Sequence, residues 1–259
     1  MANDEGVELR VEGAVATIRL CNPPLNPLTE SMRSSLRRAA EEIAARRDVR
    51  CVVLCASGTR AFSVGSDIKS FPRDAAAGHE VSQREHAAYR ALETLPQPVI
   101  AALRGNVLGG GLELALTADM RVAEADTQFG LPEVKIGVFA SGGGTQRLPD
   151  VIGTGRASLL LLTGRTIDAA TALEWGLVSE VTQAGNAEAA ARELAEEIAA
   201  LPGRAVRATK RCLREGLIHG RAAGEAAEMA AIAEIYASKD AQEGARAFIE
   251  KRPPEFVHD

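Results

Sequence analysis

Apolar positions in this chain follow two rhythms, strict alternation and helical spacing. Val7-Glu8-Leu9-Arg10-Val11 alternates apolar and polar residues, and Val15-Ala16-Thr17-Ile18-Arg19-Leu20 is apolar and β-branched enough to pair with it. The two runs predict a β-hairpin turning at Glu12-Gly13. Thr29 is placed to cap a helix whose Met32, Leu36, Ala39, Ala40 and Ile43 share one face. Cys51-Val52-Val53-Leu54-Cys55 is a continuous apolar run, and so is Val99-Ile100-Ala101-Ala102-Leu103, bounded by Pro98 and Gly105. Such runs mark strands covered on both sides, and strand, helix and buried strand in that order predict a layered α/β fold. A second helix is expected from His79 to Leu95, with Tyr89, Leu92 and Leu95 on its apolar side, after an irregular stretch over residues 72–80. Met120-Arg121-Val122-Ala123 and Gln128-Phe129 read as further strands.

From Gly155 onward the pattern turns helical, with helices expected over 156–162, 168–175, 186–201, 203–215, 221–237 and 240–252. Only Leu177-Val178-Ser179-Glu180-Val181 interrupts as a strand. A shift in composition at Leu201-Pro202-Gly203 divides the chain into an α/β core, residues 1–200, and a helical region, residues 201–259. No sequence repeat is visible.

Glycine-rich loops punctuate the core. Gly109-Gly110-Gly111 follows the Val99–Leu103 strand and opens a helix beginning Leu112-Glu113-Leu114. The first turn of a helix leaves N–H groups without intrahelical partners, and glycine lets a ligand come close to that backbone. Ser141-Gly142-Gly143-Gly144-Thr145 is a second such loop, where Gln146 and Arg147 are available for hydrogen bonds or ion pairs, and Gly65-Ser66-Asp67 marks a chain reversal that Asp67 is able to cap.

Composition narrows the function classes. Aromatic residues are 3% of 259, so base-stacking platforms are not expected, and a net charge of −5 argues against general attraction to nucleic acid or anionic lipid. Cys21, Cys51, Cys55 and Cys212 form no Cys-x-x-Cys pair and read as reduced thiols. His79, His86, His219 and His258 lack ligand spacing, so no metal site is expected. The acidic start Met1-Ala2-Asn3-Asp4-Glu5 lacks an apolar export segment and no run reaches membrane-spanning length, making cytoplasm the expected location.

Motif chemistry is equally selective. There is no Gly-x-x-x-x-Gly-Lys-Ser/Thr phosphate loop, Leu114 breaks the dinucleotide fingerprint after Gly109 and Gly111, and no Gly-x-Ser-x-Gly elbow occurs. Glu113 lies within the first turn of its helix among Leu112, Leu114, Ala115 and Leu116. Two readings stay open for it, an acid favourably placed at a helix start and a buried carboxyl that needs a partner or a task. Glu133, after Pro132, reads in isolation as a solvated loop acid.

Taken together these segments resemble the enoyl-CoA hydratase/isomerase (crotonase) superfamily, nearly end to end. The likeness is carried by Pro24-Leu25-Asn26-Pro27-Leu28, Ala61-Phe62-Ser63-Val64-Gly65-Ser66-Asp67-Ile68-Lys69 and Gly105-Asn106-Val107-Leu108-Gly109-Gly110-Gly111-Leu112-Glu113-Leu114. It continues through Phe129-Gly130-Leu131-Pro132-Glu133, Gly143-Gly144-Thr145-Gln146-Arg147-Leu148, Ala172-Leu173-Glu174-Trp175-Gly176-Leu177-Val178 and Ala247-Phe248-Ile249-Glu250-Lys251-Arg252. The resemblance implies a spiral of ββα units with a C-terminal helical trimerisation region, assembled as a homotrimer or a dimer of trimers. It implies an acyl-CoA thioester as ligand, coenzyme A entering as part of the substrate, with no separate cofactor and no metal.

By position, the backbone N–H groups of Ser66 and Gly110 are then the oxyanion hole. Because the donors are backbone atoms, Ser66 in place of the more usual alanine is expected to be harmless. Asp67, Ile68 and Lys69 match positions that contact CoA, and Phe248 and Lys251 match positions that approach it, commonly from a neighbouring subunit. Hydratases of this family carry two acids where many isomerases keep the second alone, and Glu113 and Glu133 fill both places. The expected activity is therefore hydration of a 2-enoyl-CoA, with Glu113 activating water and Glu133 protonating C2 while both share that water. A Δ3,Δ2-isomerase and a non-catalytic acyl-CoA binder are the alternatives. Ala140-Ser141 departs from the Pro-Gly pair usual in short-chain hydratases, Phe139 beside it is expected to narrow or reshape the acyl pocket, and Ser70–Leu95 matches no assignable pattern.

Overall fold

The structure, a computed structural model, describes residues 2–4 and 6–258. Strands are β1 (Ala2–Asp4), β2 (Val7–Glu12), β3 (Val15–Leu20), β4 (Cys51–Ala56), β5 (Ala61–Ser63), β6 (Val99–Leu103), β7 (Asn106–Leu108), β8 (Met120–Glu124), β9 (Gln128–Gly130), β10 (Thr166–Asp168) and β11 (Glu180–Thr182). Helices are α1 (Glu30–Ala44), α2 (Ala75–Glu93), α3 (Gly110–Ala115), α4 (Gly144–Ile152), α5 (Thr154–Thr163), α6 (Ala169–Trp175), α7 (Ala187–Ala200), α8 (Gly203–His219), α9 (Arg221–Tyr236) and α10 (Lys239–Glu250).

The predicted hairpin is present, with Glu12 opposite Val15. With β1 paired antiparallel outside it, the hairpin ends a sheet ordered β1-β2-β3-β4-β6-β8-β11, in which every pair from β3 to β11 is parallel. β4 shows why a continuous apolar run is needed there. Val52, Leu54 and Ala56 face the main core, while Cys51, Val53 and Cys55 face the small residues Ala187, Ala191, Ala195 and Ala199 of α7. Burial pushes both of those thiols up to about 12, so they remain protonated and unreactive.

Successive ββα units place one strand in this sheet and the next in a smaller one. The second sheet, ordered β10-β9-β7-β5, is parallel from β5 through β7 to β9. The loops leaving β5, β7 and β9 therefore emerge side by side, although far apart in sequence. This arrangement positions the site.

Helix ends follow local chemistry. Thr29 caps α1 by accepting the Met32 N–H at 3.2 Å. The stretch expected to be irregular is instead the start of α2, because Asp74 accepts the Ala77 N–H at 2.9 Å and the alanines after it favour helix. The strand expected at Leu177–Val181 begins three residues later, at Glu180. Leu177 and Val178 both donate to the Ala172 carbonyl and close α6 after Gly176. β10, which pairs with β9, had no counterpart in the sequence reading. After Pro202 the chain runs through α8, α9 and α10. No described helix is long and apolar enough to cross a membrane.

Candidate active site

The loop after β5 folds back on the loop before α1. Leu28 donates to Gly65 at 2.8 Å and Asp67 donates to Leu28 at 3.3 Å, a parallel bridge that passes over Ser66. Gly65 has φ +91, and a Cβ there would stand 2.8 Å from the Gly110 nitrogen. The Ser66 and Gly110 segments are thus in direct contact, and a larger residue would separate them. Among the described residues, neither the Ser66 N–H nor the Gly110 N–H donates to a protein acceptor. Asp67 accepts the Lys69 N–H at 3.0 Å and caps a 3-10 turn over Ile68–Ser70, as the sequence predicted.

Glu113 is buried at 2% exposure on α3. Its Oε1 accepts the Gly144 N–H at 2.8 Å, so the second glycine loop serves the acid directly. A Cβ on Gly142 would come within 2.7 Å of Glu113 Oε2, which explains why that loop has no side chain there. Burial lifts Glu113 from 4.5 to about 8, Glu85 and Glu133 adding to the rise and the Gly144 N–H opposing it. Arg147 holds the same loop in place, donating to the Gly142 carbonyl at 3.0 Å and to Glu93 at 2.9 and 3.1 Å.

Glu133 follows β9 in a 3-10 turn over Pro132–Ile136. It is not a solvated loop acid. Its Oε2 is buried without a hydrogen-bond partner, and its Oε1 would lie 3.0 Å from a Cβ on Gly109, the residue before the free Gly110 donor. Burial raises this carboxyl as well, with Glu85 adding to the effect. A buried acid, a half-buried acid with one oxygen shielded, and two unused N–H donors therefore lie on neighbouring segments.

A sequence profile of the enoyl-CoA hydratase/isomerase family matches residues 10–259. The chain belongs to this family. YngF of Bacillus subtilis, which carries an enoyl-CoA hydratase/isomerase name, is 40% identical over 242 residues, 92% of each chain. The short-chain-enoyl-CoA hydratase of Clostridium acetobutylicum is 34% identical over 248 residues, covering 95% of each chain. A crystal structure of an enoyl-CoA hydratase from Bacillus anthracis superposes with a TM-score of 0.94 at 34% identity, covering 98% of this chain and 100% of that one. The crotonase-type fold expected from the sequence is thereby shown.

The structure brings the Ser66, Gly110, Glu113 and Glu133 segments side by side, and Asp67, Ile68 and Lys69 follow Ser66 in a turn whose Ile68 and Lys69 are exposed. Phe248, 86% exposed, and Lys251, with φ +53 at the end of α10, are not among the contacts of the carboxyl cluster. Phe139 is 63% exposed rather than packed against the acids.

Arg33 and Glu85 escaped the sequence reading, and Tyr89 entered it only as a residue of an apolar helix face. Glu85 and Arg33 are 4% and 5% exposed, and they pair at 2.9 Å. Tyr89, fully buried, places its one hydroxyl hydrogen between two acceptors, Glu85 Oε1 at 3.0 Å and the Gly110 carbonyl at 2.8 Å. The signal was there: Arg33 is in phase with Leu36 and Ala40 on α1, and Glu85 with Tyr89 and Leu92 on α2. A charge in register with an apolar stripe needs a buried partner.

Proposed function

We propose that the protein is an enoyl-CoA hydratase that adds water across the 2,3-double bond of a 2-enoyl-CoA thioester. The observation that carries this is the second carboxyl, Glu133, half-buried with its Oε2 fully shielded. Isomerisation moves one proton and one acid suffices, whereas hydration takes a proton from water and delivers one to C2. Burial holds both Glu113 and Glu133 above their ordinary values, and Glu133 adds to the rise of Glu113.

The thioester oxygen would accept from the Ser66 and Gly110 N–H groups. Water, giving its proton to one carboxylate, attacks C3 through oxygen; the electrons of the double bond move toward the thioester as an enolate; the protonated partner returns a proton to C2. Removing one donor to such an oxyanion typically costs about 2.7–4 kcal/mol of transition-state stabilisation.

The sequence expectation assigns water to Glu113 and C2 to Glu133. In the free chain the greater burial of Glu113, with its carboxyl at about 8, favours the proton on Glu113 instead. A water shared by the two carboxyls lets that proton exchange, so the pair works as one acid–base unit. Asp67, Ile68 and Lys69 would meet CoA in the turn that follows Ser66, with Phe248 and Lys251 supplied by a neighbouring copy in a homotrimer or dimer of trimers.

Incubation with crotonyl-CoA and, separately, with a 3-enoyl-CoA tests the reading by product mass. The proposal expects crotonyl-CoA to gain one water. Isomerisation of the 3-enoyl ester with no hydration product from either substrate would overturn it, as would tight ester binding without turnover.

A further inference from the structure

The buried polar residues between α1 and α2 converge on the two residues whose N–H groups are free. Arg33 Nη2 donates to Ser66 Oγ at 2.7 Å and to Glu85 Oε1 at 2.9 Å. Its Nη1 donates at 3.1 Å to the carbonyl of Leu28, the residue that bridges the Ser66 loop. The single Tyr89 hydroxyl hydrogen is shared between two acceptors, Glu85 Oε1 at 3.0 Å and the Gly110 carbonyl at 2.8 Å. A continuous path therefore runs Ser66 Oγ, Arg33, Glu85, Tyr89, Gly110 oxygen.

We propose that Arg33, Glu85 and Tyr89 are positioning residues: a buried brace that fixes the spacing and aim of the Ser66 and Gly110 N–H groups. The inference rests on the oxyanion hole of the proposed hydratase.

Three features favour a brace over ordinary packing. A buried ion pair is weak support for stability, since well-packed apolar residues of similar volume often do as well or better. This pair is nonetheless buried on the two helices that contribute Met32, Leu36, Ala88 and Leu92 to the main core. Its polar atoms also end on both donor residues, the only side-chain links between those loops and the helices that the described hydrogen bonds provide. Finally, Gly110 is pressed against the brace: a Cβ there would stand 3.1 Å from the Tyr89 oxygen and 3.2 Å from Glu85 Oε1. Movement of Glu85 or Tyr89 is thus felt directly at the Gly110 peptide.

The Ser66 hydroxyl acquires a function in this account. Its N–H would serve the substrate while its Oγ anchors the loop to Arg33, so replacing it by alanine keeps the donor and loosens its aim. Tyr89→Phe does the same at the other arm. Each variant removes one oxygen and opens little space.

Full-length Ser66→Ala, Tyr89→Phe and the double variant are compared with the unaltered protein in two readouts. One is steady-state hydration of crotonyl-CoA; the other is the infrared stretch of an isotope-labelled thioester carbonyl in bound acyl-CoA, which reports how strongly the donors polarise it. Small misplacements of catalytic groups cost up to about 100-fold in rate, and the expectation here is a fall in kcat of about 10-fold per single variant. KM is expected to stay within about twofold, the mark of an interaction that strengthens in the transition state. The carbonyl stretch moves back toward that of the free ester, and the double variant loses less than the product of the singles because one path is broken twice.

Unchanged kcat and an unchanged stretch in both single variants would overturn the brace while leaving the hydratase reading intact. A stretch that shifts in the variants while the unaltered protein hydrates no enoyl ester would sustain the brace and remove the hydratase reading. If acyl-CoA does not bind at all, both fall. Should Tyr89→Phe fail to fold, the exposed Ser66 position reads the same path from its other end.

Discussion

Glu113 is the residue on which sequence and structure speak most directly to each other. A carboxyl raised from 4.5 to about 8 binds its proton more tightly in the folded chain than in the unfolded one. Between those limits the unfolded state holds fewer protons, so this group's contribution to stability declines as pH rises through the window. Glu113→Gln keeps an acceptor for the Gly144 N–H and cannot ionise. Its melting temperature relative to the unaltered protein is therefore expected to climb between about pH 5 and about pH 9. Scanning calorimetry at both pH values checks this, and a difference independent of pH would mean that the carboxyl is not held protonated by burial.

The two acids differ in how far their local neighbours reveal burial. Glu113 advertised its burial through its leucine neighbours. Glu133 did not, because nothing within Leu131-Pro132-Glu133 reveals that β9 lies beside β7. Ser66 was expected to be interchangeable with alanine, yet its hydroxyl accepts from Arg33, an interaction 33 residues away in sequence that no local pattern encodes.

At the scale of elements, apolar rhythm and capping residues located most helices and the long strands, since both are local properties. The short strand β10 was missed because three residues carry no periodicity and the pairing partner decides the conformation. The α2 start was displaced because an alanine run next to Pro72 and Gly78 looks irregular until the Asp74 cap is seen. The glycine loop before α4 offers a test at this scale. An alanine at Gly142 would place its Cβ 2.7 Å from Glu113 Oε2, 2.9 Å from the Tyr89 ring and 3.0 Å from the Glu85 carboxyl carbon. Overpacking of this kind costs about 1–3 kcal/mol, and displacing the acid is expected to lower kcat/KM by about 100-fold. Urea unfolding and steady-state kinetics read the two effects separately; unaltered kinetics would show that the loop does not set the position of Glu113.

For the whole molecule, the strand order was beyond the sequence alone. The ββα units repeat in geometry while no residue pattern repeats, so the proximity of the β5, β7 and β9 loops came only through family resemblance and then through the fold. The same holds for assembly. Leu213, Leu217, Met229, Tyr236, Phe248 and Ile249 of α8, α9 and α10 are each more than half exposed. Apolar surface of that extent on helices is typical of an interface. If other copies of the chain cover these faces, as the sequence resemblance implies, light scattering is expected to give three or six times the chain mass; a monomer at working concentration would count against CoA contacts from a neighbouring Phe248 and Lys251.

The central claim is that Glu113 and Glu133 jointly hydrate an enoyl thioester, and the most direct test is crotonyl-CoA hydration by Glu113→Gln and Glu133→Gln. General acid–base groups contribute about 10²–10⁴-fold, so each variant is expected to lose at least about 100-fold in kcat while remaining folded. Near-normal turnover by either one would contradict the account.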